Sequence, residues 1–286
     1  MEKQKIKKIY FLPNVITAFG LSCGLFVIFK MNMTEVGEVT PETLIAAAGI
    51  LLLAAFADLL DGAVARVMKA ESEFGGIFDS LADAISFGVA PSVIILKSLS
   101  LVPGTNISFL LTIAAIIFSL CGVLRLVRFN VNALAAKTNL DLALANKKNF
   151  TGLPIPAAAA AAVSINLFLF SNELKSIFLI SDLARAWVLS LILIFLGYCM
   201  ISRWKFPSVK SLEIRVASFQ TVFLTVVCAV VIFFGILHHF PVIFFIIAWS
   251  YIIIALVLSI IRIVAGKKSK TLEDFEPEEE DEDLEE

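Results

Sequence analysis

The chain has 286 residues, of which 59% are hydrophobic and 17% are charged, whereas soluble domains are about 45–50% apolar and about 25% charged. This composition excludes an ordinary soluble globular protein and indicates an integral membrane protein. The formal net charge of −2 hides an uneven distribution, because residues 273–286 hold 11 acidic residues and no basic one.

Eight stretches are long and apolar enough to cross a bilayer, which takes about 20 mostly apolar residues. In chain order they are 13–32, 43–68, 74–97, 104–126, 155–171, 184–201, 217–237 and 241–264. Residues 1–12 are a basic segment that we expect to lie on anionic headgroups. The last two spans form a hairpin within residues 216–266, and residues 267–286 form a basic and then acidic tail that we expect to be disordered. The sequence therefore predicts an all-α integral membrane protein with eight transmembrane helices.

Lysine and arginine residues collect on one side of the predicted membrane. With the N-terminus in the cytoplasm, 19 of the 23 basic residues fall in cytoplasmic segments and 4 fall on the other side. Cytoplasmic loops of membrane proteins carry such an excess of positive charge. An even number of spans preserves this split and an odd number breaks it, so we expect both termini in the cytoplasm.

Two neighbouring spans carry four aspartates. Asp58 and Asp61 are three residues apart, and Asp79 and Asp83 are four apart, so each pair shares one face of its helix. A short turn around residues 69–73 makes the two helices antiparallel neighbours. We therefore expect the four carboxylates to meet at similar depth, just inside the cytoplasmic boundary. On the first span, Gly20 and Gly24 form a GxxxG pattern, which favours close helix packing.

Ionised carboxylates are costly within a membrane unless they are paired or bind metal. Oxygen-only ligands favour a hard ion such as Mg²⁺ or Mn²⁺, and two such ions suit phosphoryl chemistry. A single intramembrane aspartate often serves helix packing, which explains four of them poorly. The serious alternative is a cation transporter, which would predict acids along a transmembrane path and inverted repeats; all four acids come from one hairpin, and we see no such repeats. Gly75-Gly76 could also simply begin a helix, and Arg66 could be a membrane anchor.

The pattern Asp58-x2-Asp61-Gly62-x2-Ala65-Arg66-x8-Gly75-x3-Asp79-x3-Asp83 resembles the signature of the CDP-alcohol phosphatidyltransferases, with every fixed position filled. The resemblance covers about residues 10–215. It implies a six-helix transferase core, here within 13–215, followed by the C-terminal hairpin. It also implies a homodimer, a dinuclear metal site open to the cytoplasm, and transfer of a phosphatidyl group from a CDP-linked lipid to an alcohol with release of CMP.

The resemblance also assigns roles to individual residues. Two divalent cations, Mg²⁺ or Mn²⁺, would be held by Asp58, Asp61, Asp79 and Asp83, with Asp83 as the base. The nucleotide of the CDP-lipid would be contacted by Asn14 and Thr17, in the stretch Pro13-Asn14-Val15-Ile16-Thr17, and by Gly62, Ala65, Arg66 and Ser72.

Four further stretches resemble the branch of this family that uses serine as the acceptor: 79–91, 124–130, 150–157 and 201–208. They imply CDP-diacylglycerol and L-serine as substrates, with no nucleic acid partner. Transfer to glycerol phosphate or inositol phosphate stays an alternative that would demand a larger basic pocket.

Arg125 and Arg128 lie where the fourth span reaches the cytoplasm. They are either membrane anchors or an anion pocket for the serine carboxylate. Arg128 is the first choice for that pocket, because it lies closer to water.

Overall fold

The fold is that of a computed structural model, which describes residues 11–35, 37–68, 72–102, 104–138, 150–177, 180–202, 205–206, 235 and 238–265. Within these residues the chain is almost entirely helical. The helices are α1 (Phe11–Met33), α2 (Pro41–Val67), α3 (Glu73–Asp83), a π-helical segment (Ala84–Val89), α4 (Ala90–Ser98), α5 (Asn106–Thr138), α6 (Ile155–Phe170), α7 (Asn172–Ile177), α8 (Asp182–Ile201) and α9 (Phe240–Ala265). Two-residue strands β1 (Phe150–Thr151) and β2 (Lys205–Phe206) pair antiparallel.

Seven helical stretches among the described residues are long and apolar enough to cross a membrane. They coincide with seven of the eight predicted spans, so the prediction of an all-α integral membrane protein is confirmed. The remaining span, 217–237, lies outside the described residues apart from Gly235. Residues 1–10 and the tail 267–286 lie outside them as well. The count of eight spans and the C-terminal hairpin therefore stay predictions.

Side-chain caps fix where the two aspartate-bearing helices begin. Thr40 precedes α2 and accepts a hydrogen bond from the backbone N–H of Thr43 at 3.2 Å, with Pro41 in the first turn. Ser72 precedes α3 and accepts from the backbone N–H of Gly75 at 3.0 Å. Such caps satisfy backbone N–H groups that have no partner within the helix. The Ser72 cap thereby sets the start of α3, and with it the positions of the aspartates that α3 carries.

The glycines of α1 mark its closest helix contacts. A Cβ atom at Gly20 would lie 3.4 Å from Cβ of Ala57 on α2, and one at Gly24 would overlap Ser86 of the π-helical segment. Small residues let helix backbones approach closely within a membrane. The close-packing interpretation of the GxxxG pattern is therefore confirmed, and α1 lies directly against α2, α3 and the π-helical segment that continues α3.

The π-helical segment begins immediately after Asp83. The carbonyl of Gly88 within this segment accepts hydrogen bonds from the hydroxyls of Ser119 at 2.8 Å and Ser92 at 3.4 Å. Backbone groups at membrane depth need such partners, since lipid offers none. The serine contacts stabilise the wide turn and attach the end of the aspartate helix to α5.

Alanine-rich α6 lies inside the bundle, where Ala158, Ala161 and Ala162 are fully buried. It packs against α2, α4, α8 and α9, while α5 packs along α8. The short β1–β2 pair joins the residues just before α6 to the residues just after α8. The last helix, α9, thus lies on the same body as the helices that carry the aspartates.

Candidate active site

Helices α2 and α3 bring the predicted aspartates together. Asp58, Asp61 and Asp79 each offer a carboxylate oxygen, and these oxygens lie within 4.8 Å of one another. All four aspartates, Asp83 included, line one cleft between the helices. Asp83 lies close enough to the other three for their charges to interact. Asp61 is buried, at 4% exposure, and the other three are half-buried. Four acidic side chains thus meet between two antiparallel helices.

A third helix contributes a hydroxyl to this cluster. Thr17 of α1 is buried and donates a hydrogen bond to Oδ2 of Asp61. The same hydroxyl lies 3.1 Å from the carbonyl of Pro13, one turn back on α1. A hydroxyl has a single proton to donate, so these two acceptors share or alternate it. Thr17 therefore orients the most buried carboxylate of the cluster.

The donor set of the cluster fits divalent cations. Carboxylates at this separation repel one another strongly in a medium of low dielectric constant. A cation between them removes that repulsion, and ligands that are all carboxylate oxygens match the preferences of Mg²⁺ and Mn²⁺. The cluster can therefore hold hard metal ions at the level where α2 and α3 face each other.

A larger cleft opens beside the cluster and shares Thr17, Asp61 and Asp79 with it. Its volume is about 270 Å³. It is lined by all six residues that the sequence assigns to the CDP-lipid: Asn14, Thr17, Gly62, Ala65, Arg66 and Ser72. Residues from α1, α2 and the start of α3 thus surround one space large enough for a small-molecule head group.

Gly75 lies on the wall of this cleft. A Cβ atom there would lie 3.0 Å from Oγ of Ser72 and 3.2 Å from Oδ1 of Asn14, whereas one at Gly76 would have no neighbour within 4 Å. Glycine at position 75 therefore lets the first turn of α3 approach α1. This close contact joins the N-terminal cap of α3 to Asn14.

The two arginines of α5 differ in their surroundings. Arg125 is half-buried and lies close enough to Asp83 for direct electrostatic interaction. Its Nε atom is buried and has no hydrogen-bond partner among the described residues. A cation beside the cluster is thus held where a further anionic group could pair with it.

Arg128 instead contacts the end of α8. Its guanidinium donates to the carbonyl of Ile201 at 2.7 Å and lies 3.4 and 3.5 Å from those of Met200 and Ser202. Cations at the carboxyl end of a helix satisfy free carbonyls and interact favourably with the helix dipole. These contacts favour a structural role for Arg128, which joins α5 to α8.

One contact at the site was missed by reasoning from the sequence. The side-chain amide of Asn130 on α5 donates to Oγ of Ser80 at 2.9 Å, and Ser80 also lies 3.0 Å from the carbonyl of Gly76. Ser80 follows Asp79 directly, so this bond attaches the stretch of α3 that carries Asp79 to α5. The only signal in the sequence was that Asn130 ends one of the stretches that resemble the serine-using branch.

Three relatives are similar to this chain in sequence. A protein of Helicobacter pylori named CDP-diacylglycerol--serine O-phosphatidyltransferase is 29% identical over 73% of this chain and 76% of its own length. An archaetidylserine synthase of Methanothermobacter thermautotrophicus is 30% identical over 74% of this chain and 76% of its own length. A further CDP-diacylglycerol--serine O-phosphatidyltransferase, from Methanocaldococcus jannaschii, is 33% identical over 52% of this chain and 57% of its own length.

A family model described as CDP-alcohol phosphatidyltransferase matches residues 10–202. The match begins just before α1 and ends where α8 ends, so it takes in both aspartate helices, both clefts and the two arginines of α5. Helix α9 lies beyond it. Because the model matches well over half of the 286 residues, this chain belongs to the CDP-alcohol phosphatidyltransferase family.

Proposed function

We propose that this protein transfers the phosphatidyl group of CDP-diacylglycerol to the hydroxyl of L-serine, giving phosphatidylserine and CMP. The observation that carries the proposal is the aspartate cluster opening onto the cleft lined by all six candidate nucleotide residues. The names of the relatives support serine as the acceptor.

Asp58, Asp61, Asp79 and Asp83 would hold two divalent cations, Mg²⁺ or Mn²⁺. When bound, such ions would offset the negative charge of the diphosphate and of the departing CMP. Thr17 keeps Asp61 oriented through its hydrogen bond. Asp83 is the proposed base, as the family resemblance implies, and it lines the same cleft as the other three aspartates.

The reaction forms one bond and breaks one. The hydroxyl oxygen of serine attacks the β-phosphorus of the CDP-lipid, and the bond from that phosphorus to the bridging oxygen of the diphosphate breaks. The bridging oxygen leaves with CMP, and the serine proton passes to Asp83. A positioned carboxylate makes the neutral hydroxyl a competent nucleophile.

The larger cleft would hold the cytidine and diphosphate of the donor. Arg66 lies on its wall and carries a charge suited to a phosphate oxygen. Gly62 and Ala65 present little side-chain bulk to the cleft, which leaves room for the nucleotide. The acyl chains would remain in the bilayer beside the helices.

The acceptor would be held through its carboxylate. Of the two candidate arginines, Arg125 is preferred, because its Nε atom is buried and has no hydrogen-bond partner among the described residues, whereas Arg128 donates to a carbonyl at the end of α8. Serine bound to Arg125 would present its hydroxyl near the base. We therefore propose Arg125 as the ligand of the serine carboxylate, in place of Arg128, which the sequence had favoured.

The site is proposed to face the cytoplasm, with both termini on the same side. The support is the distribution of 19 of the 23 basic residues and the water-soluble acceptor, which must reach the head group. Assembly as a homodimer, the placing of residues 1–12 on anionic lipid, and the division into a 13–215 transferase domain and a 216–266 hairpin remain predictions from the sequence.

The test of the function is CMP release by purified protein in detergent. CDP-diacylglycerol and Mg²⁺ or Mn²⁺ are supplied with serine, glycerol phosphate or inositol phosphate, one acceptor at a time. Serine should give the largest release, and a chelator should abolish it. Release that responds to a phosphorylated acceptor and not to serine would assign the protein to another branch of the family.

The acceptor role of Arg125 has a matched control in Arg128. Arg125→Gln should raise the serine KM about tenfold or more, since a buried anion loses its partner and tenfold corresponds to about 1.4 kcal/mol. Arg128→Gln should instead lower the melting temperature in detergent and leave the serine KM near that of the wild type. The opposite pattern would restore Arg128 as the carboxylate ligand.

A further inference from the structure

The chain widens into a π-helical turn directly after Asp83, and a proline explains why. The backbone N–H of Ala90 donates to the carbonyl of Ile85, five residues back, whereas an α-helix bonds four residues back. Pro91 comes next in the chain. It has no N–H, and in an α-helix its ring would clash with the carbonyl of Phe87, four residues back. Within membranes such a conflict is relieved by local π-helical turns and by serine side chains.

Two serines contact the carbonyl of Gly88 in the π-helical segment. The hydroxyl of Ser119 on α5 donates to it at 2.8 Å, and that of Ser92 on α4 lies 3.4 Å away. The two hydroxyl oxygens lie 2.9 Å apart. Each hydroxyl has one proton to donate, and the shortest of these contacts joins Ser119 to Gly88. Ser119 is therefore the main side-chain partner of the turn, with Ser92 bonded to it.

Glycines bring the π-helical segment and α5 into direct contact. A Cβ atom at Gly122 of α5 would lie 3.8 Å from Cα of Gly88 and 2.7 Å from Cδ1 of Ile155. Ile155, on α6, is fully buried. From α1, Gly24 leaves the space that Ser86 occupies, since a Cβ atom there would overlap it. The helices α1, α5 and α6 therefore enclose the segment and leave it little room to change shape.

The same segment forms part of the wall of the aspartate cleft. Ser86 and Phe87 line this cleft together with Asp83, and both are buried. One residue of an α-helix corresponds to about 100° of rotation. If the turn narrowed to an α-helix while α4 stayed on α5, the end of α3 would have to rotate by about that angle. Asp83 lies next to the turn, so the bonds that hold the turn also hold the direction of its carboxylate.

We propose that Ser119 is a positioning residue for Asp83. Its hydroxyl fixes the π-helical turn through the carbonyl of Gly88, and the turn fixes the carboxylate against the other aspartates. The inference rests on the proposed function, because it takes Asp83 as the base. Ser119 acts from outside the site, since it is not among the described residues that line the two clefts. Single π-helical turns within α-helices are frequent at functional sites.

The test is Ser119→Ala in the full-length protein, measured by CMP release at saturating Mn²⁺. The turnover number should fall about three- to tenfold, the loss expected for one hydrogen bond. The KM values for CDP-diacylglycerol and serine should stay within about twofold of the wild type. An unchanged turnover number, or a change in the KM values alone, would overturn the inference.

Two further variants at this position isolate the hydroxyl. Ser119→Thr keeps it and should keep the turnover number within about twofold of the wild type, whereas a fall as large as that of Ser119→Ala would overturn its role. If Ser119→Ala does not fold, Ser119→Cys takes its place, because a thiol fills the site but is only a weak donor. The same fall in turnover is then expected.

A double-mutant cycle separates positioning from a general loosening of the bundle. In the Asp83→Asn background, Ser119→Ala should have little further effect on the residual turnover, because the carboxylate that it positions is gone. Fully additive losses would overturn the positioning role.

Ser190→Ala is the matched control. Ser190 is buried, and among the described residues its hydroxyl donates only to the carbonyl of Ala186 within α8, at 2.7 Å. This variant should leave the turnover number unchanged, and a loss equal to that of Ser119→Ala would overturn the inference. If Asp83→Asn keeps normal turnover, the proposed base has failed and the inference fails with it. If Asp83→Asn loses turnover and Ser119→Ala does not, the inference alone has failed.

Discussion

The hydrogen bond from Thr17 to Asp61 predicts a specific defect in metal binding. Thr17→Val replaces the hydroxyl by a methyl group of nearly the same size and leaves the buried carboxylate without that donor. A hydrogen bond to a charged group contributes about 1.5–3 kcal/mol. Groups that orient metal ligands through a hydrogen bond typically affect metal affinity by about 10–100-fold, which corresponds to about 1.4–2.7 kcal/mol.

The assay is CMP release titrated with Mn²⁺ at saturating CDP-diacylglycerol and serine. For Thr17→Val the Mn²⁺ concentration at half-maximal rate should rise about 10–100-fold, and most of the activity should return at high Mn²⁺. Thr112→Val is the matched control, since among the described residues the Thr112 hydroxyl donates only to the carbonyl of Ser108 within α5, at 2.8 Å. It should leave the titration unchanged.

The same variant separates the two roles considered for Thr17. If Thr17 acts on the nucleotide rather than on Asp61, the KM for CDP-diacylglycerol rises and the Mn²⁺ titration does not shift. A variant with both the metal dependence and the lipid KM of the wild type would refute the reasoning for this residue altogether.

Three further predictions concern the aspartates and the glycine beside the cleft. Asp79→Ala should abolish CMP release while the protein keeps its melting temperature in detergent, and near-normal release at saturating Mn²⁺ would exclude a ligand role. Asp83→Asn should retain CDP-lipid binding but lower turnover about 10²–10⁴-fold, the size of a general-base contribution; unchanged turnover would exclude it as the base. Gly75→Ala should raise the KM for CDP-diacylglycerol severalfold, because its Cβ would lie 3.0 Å from a serine hydroxyl oxygen. Gly76→Ala, with no neighbour within 4 Å, should have a smaller effect, and equal effects would refute the packing argument.

The sequence was sufficient for the parts of the site that lie on one hairpin. Asp58 and Asp61 share a helix face, as do Asp79 and Asp83, and only a short connection separates the two helices. Helical periodicity therefore places the four carboxylates together without knowledge of any other contact. The number and placing of the described spans likewise followed from hydrophobic length alone.

The sequence could not reveal contacts between helices far apart along the chain. Thr17 bonds to a residue 44 positions away, and Asn130 to one 50 positions away. These contacts depend on helix packing, for which a uniformly apolar segment carries little directional pattern.

The role predicted for Arg128 also suffered because the sequence does not reveal contacts between distant helices. Its position near the predicted cytoplasmic end of its helix favoured a ligand role, because solvent access can be read from hydrophobic length. Its bonds to the carbonyls at the end of α8 depend on the packing of α5 along α8. The preference for Arg125 over Arg128 therefore depends on how α5 packs along α8.

The central claim is that serine receives the phosphatidyl group, and a competition experiment tests it most directly. Purified protein receives CDP-diacylglycerol, Mn²⁺ and an equimolar mixture of isotopically labelled serine, glycerol phosphate and inositol phosphate, and the lipid products are identified by mass. The account predicts labelled phosphatidylserine as the main product, formed in equal amount with CMP and lost in Asp79→Ala. A lipid product carrying glycerol phosphate or inositol phosphate, or CMP release with no new phospholipid, would contradict it.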